Sequence, residues 1–67
     1  MKPMSDREYR AALDHWSVTQ GTLAEALQIS IRSSNSYANG APIPFHVAVL
    51  IRLMRRYDLN PADLEKL

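Results

Sequence analysis

Four serines and two asparagines lie between Ser30 and Gly40, in a stretch that also contains Arg32. These side chains offer short hydrogen-bond donors and acceptors of the kind that match the edges of DNA bases. Serine and asparagine also lower helix propensity, because their side chains compete for nearby backbone groups. The segment therefore gives up local helix stability in return for a polar, hydrogen-bonding face.

The same segment is bounded like a helix. Ser30 is a candidate N-cap, and Gly40 is a candidate for the left-handed position that follows a helix. An amphipathic helix is predicted before it, over roughly residues 19–27. Two helices joined by a tight turn have the order of a helix-turn-helix unit, which we place at approximately residues 19–40.

Helical spacing of apolar residues continues outside this unit, and no segment has the alternation typical of a strand. A first helix is predicted from the Ser5–Glu8 capping box to about Trp16. A fourth begins near Pro44, after a loop with two prolines, and a short fifth follows the Asn60 cap. We therefore expect an all-α fold of five short helices in one domain, residues 1–67.

Periodicity also predicts which residues form the core. The predicted buried residues are Tyr9, Ala12, Leu13 and Trp16 in the first helix, Leu23, Ala24 and Leu27 in the second, and Val47, Leu50, Ile51, Met54 and Tyr57 in the fourth, with Ile29 filling the turn. The predicted opposite side of the fourth helix carries arginines.

Length and composition limit the class of protein. The 67 residues include no cysteine, so neither disulfides nor thiolate metal sites can stabilise the chain, and self-association is the expected supplement. No apolar run approaches the roughly 20 residues of a membrane span, and the N-terminus lacks the layout of a signal peptide. We expect a cytoplasmic protein with no membrane segment.

The charges are segregated along the chain. The net charge is only +1, yet no acidic residue lies between Glu25 and Asp58. The basic residues in that interval are Arg32, Arg52, Arg55 and Arg56. A basic half beside an acidic remainder is a modest indication of nucleic-acid binding. For the three arginines of the fourth helix, a solvated face and contact with the DNA backbone both stay open.

The residues from Thr19 to Gly40 resemble the helix-turn-helix of the lambda repressor-like family, which includes Cro and XRE-type regulators. The positions in register with the family pattern are Thr19-Gln20, Leu23-Ala24, Leu27, Ile29-Ser30, Tyr37 and Asn39-Gly40. With Ile43-Pro44 and the fourth helix included, the resemblance covers roughly residues 5–57. It implies a lambda repressor-like domain that binds double-stranded DNA.

Three positions depart from the family pattern. Gln28 stands where the turn glycine is common, which requires either a left-handed glutamine or a turn of another shape. Ser34 replaces a buried valine or isoleucine, and Ala38 replaces a frequent glutamate. The loss of the apolar side chain at Ser34 predicts a third helix that is less firmly anchored and held mainly by Ile29 and Tyr37.

The resemblance implies that Ile31, Arg32 and Ser36 read bases in the major groove, with Asn35 joining them at a suitable helix rotation. Arginine can bond both acceptors of guanine, serine can pair with several base edges, and isoleucine can contact a thymine methyl. The candidate phosphate contacts are Gln20, Ser30, Ser33, Asn39 and His46. For the serines and Asn39, simple capping and solvation of the helix is the alternative.

A two-fold DNA site favours a two-fold protein, and a monomer this small offers little contact area. We therefore expect a homodimer that contacts through Leu59, Leu64 and Leu67 and binds a palindromic operator. The predicted function is a transcriptional repressor or dual regulator of phage or mobile-element type. The alternative is a helix-turn-helix protein-interaction module, an antitoxin or antiactivator, that binds a protein partner.

Nothing in the sequence indicates catalysis. His15 and His46 are far apart in sequence and have no cysteine or clustered carboxylates beside them, so we predict no metal and no cofactor. No set of residues supplies a nucleophile, a base and oxyanion donors, and we expect the protein not to be an enzyme. Trp16 is interpreted as a core residue rather than a stacking platform.

Overall fold

A computed structural model describes residues 3–64 of the chain. Within that range the backbone forms five α-helices and no strand, which confirms the predicted all-α fold. In chain order, the helices are α1 (Asp6–Trp16), α2 (Gln20–Leu27), α3 (Ile31–Ala38), α4 (Phe45–Arg56) and α5 (Pro61–Leu64). The predicted helix-turn-helix segment corresponds to α2, a tight turn and α3.

Ser5 caps α1, because its side chain accepts a hydrogen bond of 3.1 Å from the amide of Glu8. The return contact expected of a capping box does not form, since the Glu8 carboxylate turns to Arg52 on α4. Its two oxygens accept hydrogen bonds from Nε and Nη2 of Arg52 over 2.7 and 2.9 Å. A paired guanidinium–carboxylate contact fixes both side chains, and here it joins α1 to α4.

Gln28 ends α2 in the left-handed conformation, with φ 59° and ψ 39°. Of the two alternatives that the sequence left open for this turn, a left-handed glutamine is therefore the one observed. The amides of Gln28 and Ile29 donate to the carbonyls of Glu25 and Ala24 over 3.2 and 3.0 Å, the pattern of a Schellman motif. A side chain in this conformation costs roughly 1 kcal/mol relative to glycine.

The core lies between α1, α2, the end of α3 and the inner face of α4. Every predicted core residue of α1 and α2, including Trp16, is buried. Ile29 packs against the core as predicted. The placement of Tyr57 in the core was wrong, since its side chain is 66% exposed. Tyr57 is three residues beyond Met54, which leaves it about 60° short of a full helical turn. Ala48 is buried on this helix instead.

The ends of α4 and α5 follow from their capping residues. Pro44 precedes α4 as its N-cap rather than lying in its first turn, and its carbonyl accepts from the amides of Val47 and Ala48. At the start of α5, Asn60 Oδ1 accepts from the Ala62 amide and Asp63 Oδ2 accepts from the Asn60 amide, both over 2.9 Å. The predicted contact of Leu67 lies outside the described residues.

Candidate nucleic-acid interface

The side chains of α3 divide into two stripes. An outward stripe is exposed to solvent, and its members are Ile31, Arg32, Asn35, Ser36 and, just after the helix, Asn39. An inward stripe is buried or half-buried and consists of Ser33, Ser34, Tyr37 and Ala38. All four predicted base-reading residues therefore lie together on the accessible face of one helix.

Ser34 anchors the inward stripe through hydrogen bonds. Its side chain is fully buried, and its Oγ lies 2.6 Å from Oη of Tyr9 and 2.5 Å from Oε1 of Gln20. The Ser34 hydroxyl has one proton, and it donates that proton to the Gln20 oxygen. Tyr9 must therefore donate its own hydroxyl proton to Ser34. We call this series of bonds from Tyr9 through Ser34 to Gln20 the polar relay.

The polar relay changes the expected role of Ser34. Its position was expected to weaken the anchoring of α3, because an apolar side chain is missing there. Instead, serine ties α3 to both α1 and α2, and burial raises the pKa of the Tyr9 phenol, which keeps it a proton donor. Tyr37 adds an edge-on ring contact with Tyr9 at 5.9 Å between centroids. Sequence reasoning missed the relay, although a buried tyrosine needs a hydrogen-bond partner.

The relay also orients Gln20 at the start of α2. Because its side-chain oxygen accepts from Ser34, the side-chain nitrogen is the end left to donate elsewhere. Ile31 of α3 also lies beside the first turn of α2, since its Cδ1 is 3.7 Å from the position that a Cβ on Gly21 would occupy. The first turns of α2 and α3 are thus neighbours. An amide donor and a helix N-terminus together suit an anion such as a DNA phosphate.

Two of the other predicted phosphate contacts are committed to the helix itself. Ser30 Oγ accepts from the Ser33 amide over 3.0 Å and donates to Ser33 Oγ over 2.9 Å, so the cap uses the only hydroxyl proton of Ser30. Asn39 Nδ2 donates to the carbonyl of Asn35 over 2.7 Å and keeps a second N–H. Capping is therefore the observed role of Ser30, and Asn39 has one donor left.

Cationic side chains of the predicted basic half are not equivalent. Arg52 donates hydrogen bonds to the Glu8 carboxylate, and its guanidinium lowers the pKa of that carboxyl. Arg55 and Arg56 are exposed at the end of α4, and His46 is exposed in its first turn. Arg32 is exposed on α3. Of the two roles left open for the three arginines of α4, a solvated face or DNA contact, neither describes Arg52, which serves an internal contact.

The residues expected at the dimer contact are also dissimilar. Leu59 is exposed, but Leu64 packs partly against the core of its own chain. An apolar side chain that is already partly covered contributes less to a contact with another molecule.

Comparison with protein-family models, with curated proteins and with solved structures finds no match to this chain. Within residues 3–64, no helix has the length and apolar character needed to cross a membrane. In the same range, no group of three or more histidine, aspartate or glutamate side chains is arranged to hold a metal ion.

Proposed function

We propose that this chain is a sequence-specific DNA-binding transcriptional regulator of the lambda repressor-like type, with α2 and α3 as its helix-turn-helix. The observation that carries the proposal is the outward stripe of α3. Within two helical turns it presents an isoleucine, an arginine, an asparagine and a serine to solvent. These four chemistries can together distinguish base pairs by their major-groove edges.

Backbone contacts are proposed at the neighbouring first turns of α2 and α3. The Gln20 nitrogen donates to one phosphate, and Asn39, just after α3, and His46, in the first turn of α4, are further contacts. These interactions fix the register of the helix on the duplex without selecting bases. The exposed Arg55 and Arg56 add general attraction to the phosphate backbone.

The regulator is proposed to act in the cytoplasm as a homodimer on a palindromic operator, where each copy inserts α3 into one half-site. Occupying a promoter in this way blocks polymerase, and occupying a site beside a promoter can recruit it. A repressor or dual regulator of phage or mobile-element type is the function that fits this chemistry.

Selection of bound duplexes from random DNA tests the proposal. We expect enrichment of a short two-fold sequence, with binding that weakens steeply as salt rises because phosphate contacts release counterions. The proposal would be contradicted if no sequence is enriched and the protein binds no DNA even at about 0.05 M salt.

A protein-interaction module is the second candidate function. It is favoured by the net charge of only +1 and by the capping contacts that occupy Ser30 and Ser33. Binding to a protein partner does not require a steep salt dependence, whereas binding to DNA does. The salt titration therefore separates the two candidates.

A further inference from the structure

The outer side of α4 carries a row of apolar side chains among its arginines, although the inner side of the helix already packs into the core. Phe45, Val49, Leu53 and Tyr57 follow one another at intervals of four residues, and we call this row the outer ridge. Phe45 is 69% exposed, Leu53 48% and Tyr57 66%, and Val49 is half-buried. A contiguous row of exposed apolar side chains marks a surface that contacts another molecule. The outer ridge lacks such a cover within residues 3–64.

We propose that the outer ridge is covered by the outer ridge of a second copy of this chain. Rows of side chains spaced by four residues pack into the groove beside an equivalent row on another helix. A two-fold dimer uses the same patch on both subunits, so a single ridge is sufficient to build the contact. A two-fold axis between Val49 and Leu53 sets the two α4 helices antiparallel.

The charges on α4 favour this antiparallel arrangement. Arg55 and Arg56 are exposed at the C-terminal end, and α4 contains no acidic residue. Parallel helices would bring the arginines of both copies together. With the axis near residue 51, an antiparallel pair keeps equivalent arginines about 12–15 Å apart along the helix, which exceeds the Debye length of about 8 Å at physiological salt.

The same arrangement gives the arginines an aromatic neighbour. The Arg56 guanidinium already lies 6.0 Å from the ring centre of Tyr57 on its own chain. In the antiparallel pair, it meets Phe45 of the second copy, and a guanidinium is attracted to the face of an aromatic ring. The arginine at the C-terminal end of one α4 therefore lies near the aromatic side chain at the N-terminal end of the other.

The outer ridge is proposed in place of the surface expected from the sequence, which consisted of Leu59, Leu64 and Leu67. One helix pair is smaller than the roughly 800 Å² per partner of a standard interface, so we expect a weak dimer, with a dissociation constant of micromolar order. The contact forms without DNA. The inference rests on the homodimer of the proposed function. A chain that stays monomeric would overturn the contact and the homodimer together, whereas DNA binding is tested separately by the selection of duplexes.

Sedimentation equilibrium of the full chain without DNA, over about 10 to 500 μM, tests the contact. The wild type is expected to dimerise, and Leu53→Ser and Phe45→Ser should each weaken the dimer at least about tenfold. Both side chains are exposed in one copy, so circular dichroism should show unchanged helix content. Leu59→Ser is the matched control, because it shortens another exposed leucine outside the ridge, and its dimer should be unchanged.

Three results would overturn the proposal. The first is a wild type that stays monomeric at the highest concentration. The second is a dimer that Leu53→Ser does not weaken. The third is a dimer that Leu59→Ser weakens as much as Leu53→Ser does, because the contact would then lie at the end of the chain rather than on the outer ridge.

Discussion

The Ser34 hydroxyl donates a hydrogen bond of 2.5 Å to the side-chain oxygen of Gln20, and the bond joins α3 to the first residue of α2. The proposed base-reading helix and the proposed phosphate contact are thus held by a single buried proton donor. Tyr9 completes the relay by donating to Ser34. The relay makes separate predictions for stability and for DNA binding.

Ser34→Ala is expected to destabilise the fold by about 1–3 kcal/mol, because it leaves the Tyr9 hydroxyl and the Gln20 oxygen without their partner. Denaturant unfolding measures the change in the free energy of unfolding. The double variant Tyr9→Phe with Ser34→Val removes both hydroxyls and supplies an apolar side chain. Its free energy of unfolding should therefore fall by less than the sum of the losses in the two single variants. Strict additivity would show that the relay is not a coupled unit.

Gln20→Glu separates the structural role of Gln20 from its role toward DNA. The carboxylate can still accept from Ser34, so the free energy of unfolding should change little. The nitrogen donor is replaced by a negative charge, so affinity should fall on every duplex to a similar extent. Fluorescence anisotropy with operator and unrelated duplexes measures this. A loss confined to the operator would mean that Gln20 reads a base instead.

Gln28→Gly is expected to stabilise the protein by about 0.5–1 kcal/mol. Glycine adopts the left-handed conformation of the α2 turn without the penalty that a side chain brings, although it also gains freedom in the unfolded chain. Thermal unfolding gives the comparison, and Gln28→Ala is the control that keeps the penalty. Equal melting temperatures for the alanine and glycine variants would contradict a left-handed residue at this turn.

Glu8 and Arg52 give stability a defined dependence on pH. The Arg52 guanidinium holds the pKa of the Glu8 carboxyl below its ordinary value of 4.5. A carboxyl whose pKa is lowered by folding stabilises the protein at pH values above its pKa in the unfolded chain. This contribution is lost as the pH falls through its pKa in the folded chain. Unfolding measured from pH 6 down to about pH 3 should show that loss.

Glu8→Gln should flatten the acidic part of this pH profile, because it removes the titrating group. Asp6→Asn is the control, since it breaks the more exposed i,i+4 pair with Arg10, and such surface pairs contribute little to stability. A profile that keeps its full acidic slope in Glu8→Gln would assign the loss to another carboxyl.

Local signals in the sequence were sufficient to predict much of the fold. Capping residues and 3.6-residue periodicity placed α1, α2 and α3 within a residue of their observed ends, because both act over one or two helical turns. The outward stripe of α3 was expected from the resemblance to the lambda repressor-like pattern rather than from periodicity. The position of Tyr57 was missed, because it lies at the edge of the buried arc.

Contacts between distant segments could not be predicted in the same way. Ser34 meets Tyr9 from 25 residues away, and Arg52 meets Glu8 from 44 residues away. Each polar group had a plausible local use, Glu8 in a capping box and Ser34 as a weak point of α3. Only the packed chain shows which partner each one has. The relay and the α1–α4 ion pair therefore follow from tertiary structure rather than from any local pattern.

The affinity of Arg32→Ala for the selected operator and for random DNA tests the central claim that α3 reads bases. We predict a loss of about 1–3 kcal/mol on the operator, relaxed specificity at one base position, and a much smaller loss on random DNA. Arg10→Ala, which removes an equal charge from α1, should leave the preference for the operator intact. Equal losses for Arg32→Ala on both kinds of DNA would contradict base reading by this helix.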